Sequence, residues 1–205
     1  MEVLTASARD IKRAAAIVRR GGVVAFPTDT VYGLGCDPYN RRALSRLSSA
    51  KGRRNKPFPI LVSSQESAER IAVMDSTARV LASRFWPGPL TIVAKSKVRF
   101  PDLLTLRRKT IAVRCPGNRV ALQLIRNCGG LLTGTSANIT GKPPCASAEM
   151  VQNQFGERID LGVDGGRSQR RTASTIVRVY SRGVRILRKG PIGDAEVERA
   201  LSSVL

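Results

Sequence analysis

At 205 residues the chain is long enough for one well-buried core and too short for two comfortable enzyme domains, so a single domain over 1–205 is expected. Apolar content of 42% is ordinary for a soluble globular protein, whereas 35 Lys and Arg against 15 Asp and Glu give a net charge of +20, which favours nucleotides or nucleic acid as partners. The sequence contains no histidine, which excludes Ser-His-Asp and Cys-His catalysis and every His-containing zinc site. Cys36, Cys115, Cys128 and Cys145 form no Cys-x-x-Cys pair and are expected to be reduced and packed. With no secretory h-region and no apolar run of membrane-spanning length, the expected location is the cytoplasm, without a membrane partner.

In chain order, Ser7 predicts the cap of a helix to Arg20, stopped by Gly21-Gly22, and 23–26 a buried strand. Pro27 ends that strand, and Gly33 and Gly35 predict a tight turn or close approach to a ligand. Asn40 predicts the cap of a helix to Ala50 with Arg41, Arg42 and Arg46 on its surface, followed by a loop over 51–57 and a strand over 59–62. Ser63 and Glu66 have capping-box spacing for a helix to Ala72, and Asp75 or Ser76 opens another ending before Pro87. Strands follow over 90–94 and 110–114, separated by an expected surface loop over 101–109. Asn118 caps a helix to Asn127, 131–133 enters the sheet, and 134–143 is a donor-rich loop. A short helix from Ser147, a weak strand over 159–163, a hairpin of 175–180 with 184–188, and a final helix from Asp194 complete the series. Helices alternating with strands, plus one antiparallel hairpin, give an α/β fold with a mixed sheet.

Hydroxyls, one carboxylate and flexible backbone crowd 27–35 at the end of a buried strand, where open α/β sheets bind ligands. Downstream, Arg41, Arg42, Arg46, Lys51, Arg53, Arg54 and Lys56 have no acidic residue between Asp37 and Glu66 to offset them. That cluster is either a phosphate clamp or a solvated basic loop. Gly134 to Lys142 fails as a Walker A loop, because six residues separate its first two glycines and Pro143 follows the lysine. Ser136-x-Asn138 can hold phosphate or ribose, or simply close its own turn. Arg114 and Arg188 end apolar strands, at a solvent edge or facing a cleft. Thr28, Thr30 and Tyr32 have an alternative role in turn and packing, and Ser174 as a strand start.

Taken together, Pro27-Thr28-Asp29-Thr30-Val31-Tyr32-Gly33-Leu34-Gly35, Lys51-x-Arg53, Trp86-Pro87-Gly88-Pro89-Leu90-Thr91, Ala112-Val113-Arg114-x-Pro116, Ser136-x-Asn138, Ser174-Thr175-Ile176-Val177 and Arg188-x-Gly190 resemble the YrdC/TsaC family of threonylcarbamoyl-AMP synthases. The resemblance runs in order from about Ile11 to Gly190. It implies a twisted mixed parallel/antiparallel sheet, with helices packed around it, and a cationic cleft. It further implies conversion of L-threonine, bicarbonate and ATP to threonylcarbamoyl-adenylate and pyrophosphate, for N6-threonylcarbamoyladenosine at tRNA position 37. Carried over by position, it puts Thr30, Arg114 and Ser174 on threonine, with Thr28 and Tyr32 lining that pocket. Lys51, Arg53, Lys56, Thr110, Ser136, Asn138 and Arg188 would hold the nucleotide, with Lys51 and Arg53 catalytic. Many relatives have a histidine near the position of Ser63, which this chain lacks, and the chain resembles the family's short, single-domain form.

Such chemistry runs on positioning and cation stabilisation, without a histidine. Mg2+ is expected on the triphosphate with no dedicated protein ligands. The downstream partner implied is threonylcarbamoyl-transferase machinery. The rival reading is a non-catalytic module for double-stranded or structured RNA, tRNA included. The charge supports it, and the 4% aromatic content argues against single-strand base stacking.

Overall fold

Most helices begin where a short polar side chain takes up a first-turn amide. In the computed structural model, which describes residues 1–52, 56–168, 172–180 and 183–202, Ser7 accepts from Asp10 N to open α1 (Ala8–Arg19) and Asn40 from Ala43 N to open α2 (Arg41–Lys51). Ser64 accepts from Ser67 N at α3 (Gln65–Ile71), and Asp75 from Ala78 N at α4 (Ser76–Phe85). A single turn, α5 (Asp102–Thr105), has no side-chain cap. Asn118 and Ser147 then cap α6 (Arg119–Asn127) and α7 (Ala148–Phe155), and α8 (Asp194–Ser202) follows. Each cap contributes about 1 kcal/mol. Two expectations need correction. The cap of α3 is Ser64, while Ser63 turns its hydroxyl to Ser67 at 3.2 Å, and the expected surface loop over 101–109 contains α5, which buries Leu104 and Thr105.

The described strands are β1 (Glu2–Thr5), β2 (Val24–Phe26), β3 (Gly33–Gly35), β4 (Ile60–Val62), β5 (Leu90–Lys95), β6 (Thr110–Arg114), β7 (Leu131–Thr133), β8 (Thr135–Ser136), β9 (Leu161–Asp164), β10 (Thr175–Tyr180) and β11 (Gly183–Arg188). They form the expected α/β fold with mixed pairing, divided between two sheets in the orders β1-β9-β2-β3-β8 and β11-β10-β5-β6-β4-β7. In the first, β1, β9 and β2 are parallel and β3 folds back antiparallel on β2, so residues 27–32 are the bend of a hairpin. Val24, Ala25 and Phe26 are all buried, as expected for a strand covered on both faces.

The chain passes from one sheet to the other between β7 and β8, through Gly134. Beside it, Thr133 donates its amide to Cys36 O at 3.0 Å and accepts at Oγ1 from Cys36 N at 2.7 Å, tying the two sheets together. A Cβ on Gly134 would stand 2.3–2.8 Å from three side-chain carbons of Leu61, so the crossing excludes larger residues.

Register in the second sheet gathers polar residues at one end. Arg188 pairs with Ile176 and Ile176 with Thr91, while Ile92 pairs with Val113 and Leu61 with Arg114. Ser174 immediately precedes Thr175, the partner of Leu90. The starts of β5 and β10 and the ends of β6 and β11 therefore share one edge, which the hairpin bend of the first sheet faces.

All four cysteines are free; Cys36, Cys115 and Cys145 are buried and Cys128 is half-buried. Burial pushes Cys36 and Cys128 up to about 12 and Cys115 and Cys145 up to about 11. Among the described residues no helix is long and apolar enough to cross a membrane.

Gly134→Ala is expected to destabilise the protein by about 1–3 kcal/mol through overpacking at the sheet crossing. Chemical denaturation reads this as a lowered midpoint with an unchanged slope.

Candidate active site

Between the two sheets lies a cleft of about 500 Å³, within the range of small-molecule sites. Of the residues expected at a site, Thr28, Thr30, Tyr32, Lys51, Lys56, Arg114, Ser136, Asn138, Ser174 and Arg188 all line it. They come from the hairpin bend, the end of α2, both strand edges and the 134–141 loop, which are distant in sequence and brought together by the fold. Arg53 lies outside the described residues. Thr110 is not among the lining residues. It stands at the opposite end of β6 from Arg114, and a five-residue strand separates its ends by about 13 Å. Ser63 does not line the cleft either.

Arg114 organises one side. Buried at 6% exposure, it donates from Nε to Gly88 O at 2.9 Å, from Nη1 to Thr30 Oγ1 at 3.1 Å and from Nη2 to Asp29 Oδ1 at 2.5 Å. The direction of the next bonds follows from donor supply. Thr28 commits its hydroxyl proton to Val31 O at 2.6 Å, so in the 3.0 Å contact between the two threonines Thr30 is the donor. Guanidinium, two hydroxyls and a carbonyl thus form one directed chain beneath the cleft floor. A buried arginine held in this way has a fixed fork, suited to a carboxylate or phosphate.

Tyr32 contributes a wall. Its hydroxyl donates to Gly166 O at 2.7 Å and accepts from Gly165 N at 3.3 Å, with Asp164 Oδ1 at 3.3 Å. These bonds lock the hairpin bend to the end of β9. Burial pushes the phenol up to about 12, so it stays neutral over the physiological range.

Lys51, the last residue of α2, is 2% exposed, and its ammonium donates to Ser136 O at 2.6 Å and Asn138 O at 2.7 Å. Its own carbonyl accepts from Thr140 N at 2.8 Å. The 136–142 loop is therefore pinned at the helix end. Ser136 donates to Asn138 Oδ1 at 2.6 Å and Asn138 Nδ2 donates to Lys142 O at 2.8 Å, so this pair closes its own turn while also lining the cleft.

Opposite Arg114, the guanidinium of Arg188 is drawn inward from the exposed edge strand β11. Nε and Nη2 donate to Ser174 O at 3.0 and 2.8 Å, and Nη2 also to Ser174 Oγ at 3.1 Å. Ser174 Oγ in turn lies 2.8 Å from Thr91 Oγ1. Partial burial lowers the Arg188 pKa, with the charge of Arg114 as a second cause, so the two guanidiniums sense each other across the cleft. Thr91 and Thr140 also line the cleft and Asp29 braces it from behind, three residues absent from the expected site. A hydroxyl opening an otherwise apolar strand was the available signal for Thr91, and a lone acid among hydroxyls for Asp29.

Cations and hydroxyls line this cleft, and no carboxylate is among the lining residues. Such a surface can hold a polyanion beside a small polar molecule. Arg46, expected to lack a counter-ion, finds Asp160 at 2.8 Å on the far side of α2 and plays no part here.

The Sua5/YciO/YrdC family model, which carries the description "Telomere recombination", matches residues 16–190. A threonylcarbamoyl-AMP synthase of Pyrococcus abyssi is 37% identical over 196 residues, covering 95% of this chain and 58% of that protein. A putative threonylcarbamoyl-AMP synthase of Mycobacterium tuberculosis is 37% identical over 198 residues, covering 94% of this chain and 89% of the relative. Among solved structures, P. abyssi Sua5 complexed with L-threonine superposes with a TM-score of 0.94 at 35% identity, over 98% of this chain and 61% of that one.

Two outcomes are expected. Ser174→Ala removes a hydroxyl shared by Thr91 and Arg188 and should cost about 1–3 kcal/mol in a denaturation experiment. Tyr32 holds its proton when folded and releases it near 10 when unfolded, so its contribution to stability is intact below pH 10 and is lost as pH rises toward 12. Replacing it with Phe should flatten the loss of stability between pH 10 and 12.

Proposed function

The chain belongs to the Sua5/YciO/YrdC family, and from that premise we propose that it is a threonylcarbamoyl-AMP synthase that consumes L-threonine, bicarbonate and ATP. The observation that carries the proposal is the cleft itself. A fixed guanidinium with two threonine hydroxyls stands on one side and further cations on the other, matching the needs of an amino acid and a triphosphate. P. abyssi Sua5 binds L-threonine in a closely superposable fold, which supports threonine as the amino acid.

In the proposed reaction the amine of threonine attacks the carbon of CO2 derived from bicarbonate. The carbamate oxygen so formed attacks the α-phosphorus of ATP, and pyrophosphate leaves. Arg114 pairs with the threonine carboxylate, with Thr30 and Ser174 orienting the molecule and Thr28 and Tyr32 shaping the pocket. Lys51, Lys56 and Arg188 offset phosphate charge, joined by Ser136 and Asn138 at the nucleotide, and Arg53 is proposed to act alongside them. Alignment supplies much of the rate, since effective molarities for well-oriented partners reach roughly 10⁵–10⁸ M. Magnesium would neutralise charge on the triphosphate, held by phosphate oxygens and water, since no carboxylate is among the lining residues.

The proposed setting is the cytoplasm, with tRNA as the final acceptor through a separate threonylcarbamoyl-transferase. The RNA-binding alternative is less well supported. Lys51, Lys56 and Arg188, from the basic stretches that suggested it, turn into the cleft, and the relatives are named as synthases.

Incubation with ATP, bicarbonate and L-threonine is expected to yield pyrophosphate and threonylcarbamoyl-adenylate, detected by mass spectrometry. Arg188→Gln should raise KM for ATP by about 10-fold or more, the loss of a charge-assisted hydrogen bond, with little change in threonine affinity. Folded wild-type protein that forms no threonylcarbamoyl-adenylate would refute the proposal.

A further inference from the structure

The two arginines that face each other across the cleft differ in what stands behind them. Arg114 is ion-paired with Asp29 at 2.5 Å, the two side chains being 8% and 11% exposed. Arg188 bonds to the carbonyl and hydroxyl of Ser174 and has no ion-pair partner among the described residues. Asp29 does not line the cleft. Its Oδ1 accepts from Arg114 and from Gly117 N at 2.9 Å, and its Oδ2 is buried without a hydrogen-bond partner among the described residues. A carboxylate so placed stands behind Arg114 as seen from the cleft and offsets part of its charge, of which Arg188 still feels a remainder.

We infer that Asp29 sets the charge of the Arg114 half of the cleft, making that half selective for a zwitterionic amino acid over a phosphate. Paired with a carboxylate, Arg114 is held as a fixed fork with a net charge smaller than that of Arg188. A zwitterion, neutral overall, is accommodated there, because its carboxylate meets donors and its ammonium meets no uncompensated cation. A phosphate dianion gains less from this pair and is drawn to Arg188, whose charge is not offset. The register of the second sheet roots Arg188 and Arg114 in strands three spacings apart, roughly 14 Å between backbones. The fold thereby divides one cationic cleft into two subsites of different charge. Asp29 acts through Arg114 and is a positioning residue. The inference rests on the proposed threonine-and-ATP function and names what separates its two substrates.

Asp29→Asn isolates the charge, because an amide oxygen can keep the bonds to Arg114 and Gly117 while its NH2 group takes the place of the unpartnered Oδ2. L-threonine and inorganic phosphate are each titrated calorimetrically into both proteins, alone and in competition. In the wild type, phosphate should compete with ATP and leave the Kd of threonine unchanged within about twofold. In Asp29→Asn, phosphate should compete with threonine, and the ratio of phosphate Kd to threonine Kd should fall by about 10-fold or more. A purely structural role would weaken both ligands without changing which one competes with which. An unchanged ratio in folded Asp29→Asn, or displacement of threonine by phosphate from the wild type, overturns the inference alone. The wild-type arm decides the matter even if the variant does not fold. A wild type that binds no threonine overturns the inference together with the proposed function.

Discussion

A charged guanidinium in a protein interior requires partners on every side, and Arg114 obtains three of them from two separate parts of the chain. Gly88 supplies a carbonyl from the turn before β5, Thr30 a hydroxyl from the hairpin bend, and Asp29 a carboxylate from the same bend. Removing any one of these would leave a buried donor or charge uncompensated, at a cost well above that of a surface pair. The bend of the first sheet is therefore held against the edge of the second by the needs of one side chain. The cleft exists because those two surfaces are held in that relation.

Lys51 does for the opposite wall what Arg114 does for the floor. Its ammonium gathers two carbonyls of the 136–142 loop, and its carbonyl takes an amide from the same loop. A charge placed in the sequence as a ligand group thus also has a structural duty. The two duties meet in one side chain, because the carbonyls that orient the ammonium also keep it at the cleft wall.

The capped helices were legible in the sequence because their signals are local, lying within a dozen residues of one another, whereas α5, which has no side-chain cap, was not. β1 and β3 were not legible. Glu2–Thr5 is an edge strand whose partner, β9, lies some 160 residues later, and Gly33-Leu34-Gly35 has glycines where strand formers would mark it. The division into two sheets depends on Gly134 crossing under Leu61, a packing relation between residues far apart in the chain. At the site, ten of the residues that the resemblance implied line the cleft. Thr110, which the resemblance put at the nucleotide, and Arg114 occupy opposite ends of one extended strand, and of the two only Arg114 is among the lining residues. Asp29 was noticed only as a lone acid, since its pairing with Arg114 spans 85 residues.

The lining of the cleft has one further consequence. Among the lining residues is no carboxylate, imidazole or thiol, the groups that ordinarily exchange protons near neutrality, and the phenol of Tyr32 is pushed up to about 12. The described residues around the reacting atoms thus include none of these neutral-range groups. In the proposed reaction, the proton inventory that varies with pH belongs to the reactants, the amine of threonine and the bicarbonate–CO2 couple. The cleft supplies shape and hydrogen-bond donors, and in the proposed reaction the reactants bring their own acid–base chemistry.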